Sequence, residues 1–463
     1  MEVVDRIIRN RFLGSEIELS SSYRQLVEYV NHRTPTAYGK VRFVESDDSC
    51  DIELDNPQTR DAVLALISDI QCTNNYNITL QGKLEDFIKD GESLVKILYG
   101  GSAGQILLIK DDASDEYFVR KVAARFGVEG NGTPKLEAEI RFLLEINRSP
   151  ECKVLKGLFP HVIDHSYTER FITLDQEYVG EGKNVLTLLS QNIITPAEHV
   201  AYVDTLLSSL IPHGYALRSR LVPKTESLDH LEDYYLRRAE GRIRFFQNCE
   251  DFSMDFPANK LLSLPELVER RVFRINGIEY RSPLETISKI KADDSISDIL
   301  RPRTESFCAH GDLTFLNMVF DDRSKAYKLI DNRGHIGNWD ALYDFGKLKF
   351  TLSGFGQVML RDFDLSEDSH GDFQLTMTGN ARGKKALTEL NNSFFDDISK
   401  NEAFAKLVKD ELHWQERILF AEAIHYLSDI PHRLLLDQSP RNAVAVFLLG
   451  TAYLNDLYDA LRK

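Results

Sequence analysis

From Glu92 onward the chain alternates apolar and polar residues in short runs. Leu94–Tyr99 and Ile106–Lys110 read as two strands joined by Gly100-Gly101-Ser102-Ala103-Gly104, and Tyr117–Ala123 (YFVRKVA) reads as a third. Thr133 and Pro134 then supply a cap and a first helical residue for a helix that carries Glu137. Phe171–Val179 is again strand-like and runs into Gly180-Glu181-Gly182. Beyond it the period lengthens to that of helices, most clearly over Asp229–Gln247, over residues 285–300, and from Glu411 to the last residue. Arg274–Tyr280 interrupts this region with the Asn-Gly signal of a hairpin. Ahead of Glu92, helical patterns at 2–13, 20–31 and 56–70 bracket two strand patterns, Val41–Glu45 and Cys50–Leu54. The elements predict an α+β protein in three parts: an accessory α/β region over 1–80, a strand-rich part over 81–180 and a helical part over 181–463.

At 463 residues the chain exceeds one ordinary core, which agrees with several parts. A net charge of −16 repels nucleic-acid phosphates, so no nucleic-acid partner is expected. The five cysteines (Cys50, Cys72, Cys152, Cys249, Cys308) show neither zinc spacing nor a CxxC pair, which reads as reduced thiols. The opening MEVVDRIIRNRFLG interleaves charge with apolar residues, unlike a secretory leader, and no run reaches a membrane span. A cytoplasmic protein with no membrane partner is the expectation.

The richest chemistry lies in Cys308–Lys349, CAHGDLTFLNMVFDDRSKAYKLIDNRGHIGNWDALYDFGKLK. It holds His310-Gly311-Asp312, then Asn317, then Asp331 at the end of an apolar strand pattern. Phosphoryl transfer from a nucleotide asks for one carboxylate to take the acceptor's proton, and for a carboxylate and an amide oxygen to hold magnesium. Asp312, Asp331 and Asn317 are the matching residue types. The glycine-rich hairpin at Gly100, Gly101 and Ser102 lets backbone N–H groups approach phosphates. Lys121, sixteen residues before Glu137, is placed for a strand-lysine to helix-glutamate pair that holds phosphates. Arg120 competes for that role, but alternation then puts Phe118 where adenine would lie. Backbone groups from Glu177 to Val179 suit an adenine-binding hinge.

Other features read as structural. The glycines of 127–132 lack the GK[ST] order of a Walker loop. His161 and His165 have helical spacing, yet Pro160 and Val162-Ile163 disfavour a helix there. Arg237, Arg238, Arg242 and Arg244 read first as a solvated helix face, and second as a surface for an anionic or hydroxyl-rich substrate.

In order, these features are a glycine hairpin, strand lysine, helix glutamate, hinge, HGDLxxxN and an Asp after an apolar strand. Over roughly residues 92–460 that order resembles the aminoglycoside phosphotransferase and choline kinase group, relatives of the protein kinases. The resemblance implies a bilobal fold, with a small antiparallel-sheet N-lobe and a large helical C-lobe. It further implies Asp312 as the residue that orients or deprotonates the acceptor hydroxyl, and Asn317 and Asp331 as ligands of Mg²⁺. Lys121, held by Glu137, would bind the phosphates of ATP, with GTP still open. His310 would hold the loop backbone, and Asp340 and Asp344 would be structural. Two departures from protein kinases stand out: Gly311 replaces their arginine, and Asn332-Arg333-Gly334 replaces Phe-Gly. Both point to phosphorylation of a small-molecule hydroxyl, on a sugar, aminosugar or amino alcohol. An atypical protein kinase, a nucleotidyl transferase and a nucleotide-binding pseudokinase are the alternatives.

Overall fold

In a computed structural model the described residues are 41–46, 49–54, 87–98, 105–124, 135–167, 171–179, 183–215, 231–246, 253–256, 260–302, 305–333, 335–378, 382–435 and 439–463. The helices expected at 2–13, 20–31 and 56–70 lie outside them, as do Gly100, Gly101 and Ser102. The expected strands near residue 45 form an antiparallel hairpin of β1 (Val41–Ser46) and β2 (Ser49–Leu54). The chain divides into two units, Met1–Leu144 with Pro160–Tyr178, and Glu145–Phe159 with Val179–Lys463. Their described residues combine antiparallel sheet with helices, an α+β architecture. Among the described residues no helix is long and apolar enough to cross a membrane.

The first unit is built on β3 (Glu92–Leu98), β4 (Gln105–Asp111), β5 (Tyr117–Ala124), β6 (Val162–Tyr167) and β7 (Phe171–Glu177), in the order β3-β4-β5-β7-β6. Every neighbouring pair is antiparallel. Strand alternation sends Leu107, Ile109, Phe118 and Val122 into a core with Phe87. Lys121 therefore belongs to the opposite face from Arg120. There it meets helix α1 (Lys135–Arg148), where Leu136, Ile140 and Leu143 recur at helical spacing and are buried. Among this unit's described residues, β6 is the strand that the sequence pattern did not reveal.

The second unit holds hairpins and most of the helices. Strands β8 (Ser253–Phe256) and β9 (Lys260–Ser263) form one hairpin. The Asn-Gly hairpin forms as expected between β10 (Val272–Ile275) and β11 (Ile278–Arg281), with Asn276 and Gly277 at φ 51° and 80°. The helix expected over 285–300 is two helices, Pro283–Ala292 and Asp294–Leu300. Asp293 breaks it, because its carboxylate accepts from Ser295 N and Ile296 N and caps the second helix.

Two short antiparallel pairs frame the chemistry-rich stretch. β12 (Glu305–Ala309) pairs with β15 (His335–Asp340), and β13 (Met318–Asp321) with β14 (Ala326–Leu329). The unit's helices include α2 (Pro196–Leu210), α3 (Arg237–Phe246), α4 (Leu342–Phe350), α5 (Arg382–Lys400), α6 (Trp414–Leu435) and α7 (Pro440–Leu461), of which α2 packs on β14 and α5, and α6 on α3, α4 and α7. Helices α4 and α6 approach closely because Gly346 has no side chain, and a Cβ there would sit 3.1 Å from the Ala421 backbone.

Glu422 on α6 is buried, and burial pushes its carboxyl up to about 7, only partly offset by Ser353 and Lys349. A raised carboxyl pKa stabilises the fold below the unfolded value near 4.5, and that stabilisation is lost as pH rises through about 7. Glu422→Gln should therefore match wild type at pH 5 and exceed it at pH 8 by on the order of 2 kcal/mol. Denaturation at both pH values tests this, and equal differences at the two would refute it.

Candidate functional site

In the first unit, Lys121 Nζ lies 2.7 Å from Glu139 Oε1, and the two side chains are 5% and 1% exposed. The partner is thus Glu139, not the expected Glu137. Glu137 points toward solvent and pairs with Arg141 at 2.9 Å, one turn on. Helical geometry is the reason: Glu139 falls on the apolar stripe of Leu136, Ile140 and Leu143, and Glu137 lies off it. Arg120 is buried on the other face. It donates to Asp175, Glu92 and the Phe87 carbonyl at 2.6–2.9 Å, a structural clamp.

The hinge expectation needs a correction at Glu177. Its N–H donates to the His161 carbonyl at 2.9 Å, because β6 pairs along that edge, so this N–H is no donor for adenine. The chain passes from the first unit to the second between Tyr178 and Val179. His165 lies in β6 with His161 just before it, and neither is helical.

In the second unit the HGD loop is fixed from several sides. Asp344, fully buried on α4, accepts His310 N at 2.7 Å and Tyr215 Oη at 2.8 Å on Oδ2, and Gly311 N at 2.9 Å on Oδ1. Burial nevertheless pushes its carboxyl up to about 6. Gly311 takes φ 76°, a conformation that favours glycine over an arginine. His310 Nδ1 accepts from Asp312 N at 3.2 Å, so its Nε2 carries the proton and donates to the Ile330 carbonyl at 2.9 Å. Asp340 accepts Leu342 N at 2.9 Å, Arg417 at 2.7 Å and Tyr235 Oη at 2.5 Å, which fits its expected structural role.

The same bonds gather the candidate residues. Asn317 Nδ2 donates to the Asp312 carbonyl at 2.9 Å, and Ile330 N donates to the Asn317 carbonyl at 2.9 Å. Arg333 N reaches the His310 carbonyl at 2.8 Å, so Asp331 sits between two residues stitched to the loop. Asp331 has φ 59°, a costly conformation for a residue with a side chain, and such strain concentrates at functional sites. The donor types fit magnesium: Asp331 would offer a hard carboxylate, and Asn317, with its NH₂ committed to the loop, would offer its side-chain oxygen.

The carboxylate of Asp312 is ion-paired at both oxygens, to Lys347 at 3.0 Å and to Arg333 at 3.2 Å. Burial works against the Arg333 charge, but the carboxylates of Asp312 and Asp331 outweigh it and hold the guanidinium protonated. Lys347 went unnoticed in the sequence. Its helix, LYDFGKLKF, has two lysines of equal appearance, and packing alone sends Lys349 to Asn391 at 2.6 Å and Lys347 to Asp312. Arg237 is exposed and pairs with Asp233 at 2.7 Å, as a solvated face should, whereas Arg238 turns inward and donates to the Tyr343 hydroxyl. An apolar cavity of about 340 Å³ lies between α2, α4 and α5, lined by Leu207, Phe315, Leu348, Leu352, Leu390 and Phe394. Its lining includes none of Asp312, Asn317 and Asp331, so it is separate from those three side chains.

No family model matches the chain, and no curated protein matches it. Among solved structures, one described as "Putative fructosamine-3-kinase" from Haemophilus somnus 129PT is similar over 80% of this chain and 92% of its own. It is 14% identical, with a TM-score of 0.41. At that distance function has to be read from the side chains of this protein.

Proposed function

We propose that the protein is an ATP- and Mg²⁺-dependent kinase that transfers the γ-phosphate to a hydroxyl of a small molecule. The observation that carries this reading is that hydrogen bonds tie Asn317 to Asp312 and to Ile330, the residue before Asp331. In phosphoryl transfer the nucleotide and metal supply the reactive chemistry, and the protein contributes positioning and charge. Asp312 would orient the acceptor hydroxyl and take its proton as the new oxygen–phosphorus bond forms and the bond between the γ-phosphorus and the leaving ADP breaks. Asn317 and Asp331 would hold Mg²⁺, which would supply neutralisation of the phosphate charge. Lys121, kept in place by Glu139, holds the phosphates of the nucleotide. Arg333 and Lys347 fix the Asp312 carboxylate on both sides.

Asp331→Ala should weaken Mg²⁺-dependent ATP binding at least tenfold, the usual scale for loss of a charged metal ligand's contact. Calorimetry with and without Mg²⁺ reads this directly. Identical Mg²⁺ dependence in the variant would remove Asp331 from the metal site. A screen of metabolite extracts with γ-labelled ATP, wild type against an Asp312 variant, identifies the acceptor class. Label appearing only in peptides would favour a protein kinase instead.

A further inference from the structure

Three helices of the second unit converge beside Asp312. Helix α3 brings Arg238, which donates to the hydroxyl of Tyr343 on α4. Helix α4 also brings Lys347, one turn beyond Tyr343. Helix α6 brings His425, whose ring lies 4.5 Å from that of Tyr343, and His432 seven residues on, on the same face. Arg333 reaches in from the loop. The charges of Arg238, Arg242, Arg333 and Arg433 all bear on His432, and burial together with them keeps that ring neutral.

Among the described residues, Arg238, Arg333 and Lys347 gather around Asp312, with Asp331 as the other carboxylate acting on Arg333. Arg433 is matched by Asp429 at 2.7 Å, and Lys347 and Arg333 share the one carboxylate of Asp312. Arg238 makes no ion pair among the described residues and faces a neutral hydroxyl. Polar atoms are also left unmet: Arg333 Nε, His425 Nδ1 and His432 Nε2 are buried without a hydrogen-bond partner, and both histidines are more than nine-tenths buried. A guanidinium without a counter-charge and the orphaned Arg333 Nε–H donor are costly in an interior, and an anion would satisfy them together.

We propose that the acceptor carries an oxyanion, a phosphate or a carboxylate, that docks on Arg238 and Arg333 beside Asp312. Guanidinium groups match such anions in shape as well as charge. This places the acceptor among sugar phosphates, sugar acids and similar anions, opposite to what an overall charge of −16 would favour. The inference rests on the kinase reading for the word acceptor, but not for the site.

The test is calorimetric titration of the full chain, with and without saturating ADP·Mg²⁺, using orthophosphate, glucose 6-phosphate, glucuronate, glucose and glucosamine. The anions should bind at least tenfold more tightly than glucose or glucosamine. Arg238→Gln should weaken them about tenfold, Arg238→Lys should restore part of the loss, and Arg237→Gln should change nothing. A preference for glucose 6-phosphate over glucuronate assigns the phosphate, and the reverse assigns the carboxylate. Absence of anion binding, equal binding of glucosamine, or unchanged affinity in Arg238→Gln overturns the proposal. Turnover of glucosamine would keep the kinase and lose this site, whereas anion binding without any Asp312-dependent turnover would do the opposite.

Discussion

Asp312→Asn is expected to lower acceptor phosphorylation about 10³-fold, within the range for loss of a positioned general base. The amide keeps the size of the side chain but cannot accept the acceptor's proton. Nucleotide affinity should change little, since the proposed contacts to phosphates and metal come from Lys121, Asn317 and Asp331. The substitution also leaves Lys347, 7% exposed, without its counter-charge, and removing one partner of a buried pair costs about 3–5 kcal/mol. Turnover must therefore be read beside a melting curve and an ADP·Mg²⁺ titration. Adding Lys347→Gln removes the orphaned cation, so the double variant should regain stability and stay inactive. A folded Asp312→Asn protein with turnover within threefold of wild type would end the catalytic assignment.

The second large effect separates two glutamates two residues apart. Glu139→Gln leaves the buried Lys121 ammonium without a carboxylate and should destabilise the first unit by about 3 kcal/mol. Glu137→Gln breaks an exposed pair with Arg141 and should cost under about 0.5 kcal/mol. Hydrogen exchange of the β5 amides reports the opening of this unit without requiring two-state unfolding of the whole chain. Under the kinase reading, Glu139→Gln should also weaken ATP binding while Glu137→Gln leaves it intact. Equal effects from the two variants would contradict the helical placement.

Much of this was legible in the sequence. The strands β3, β4, β5 and β7 lie within a residue or two of their expected bounds, apart from the last two residues of Phe171–Val179. The Asn-Gly hairpin and the two C-terminal helices also formed as expected, because alternation, turn chemistry and helical period are local properties. Glu139 had a signal as well, a carboxylate on an apolar helical stripe, which outweighs convenient spacing from Lys121. Other features had none. Pro160 and Val162-Ile163 argued only against a helix, and pairing with β7 made that segment a strand.

The sequence by itself determined which residues could perform phosphoryl transfer and in what order they occur, since residue type and local period need no partner. Tertiary structure decided the pairings: Lys121 with Glu139, Asp312 with Lys347 and Arg333, and Arg238 turned inward while Arg237 faces water. The physical reason is that a charged side chain is settled by what surrounds it. Burial makes an unmatched charge costly, and which carboxylate, hydroxyl or water meets it depends on helices far apart in the chain.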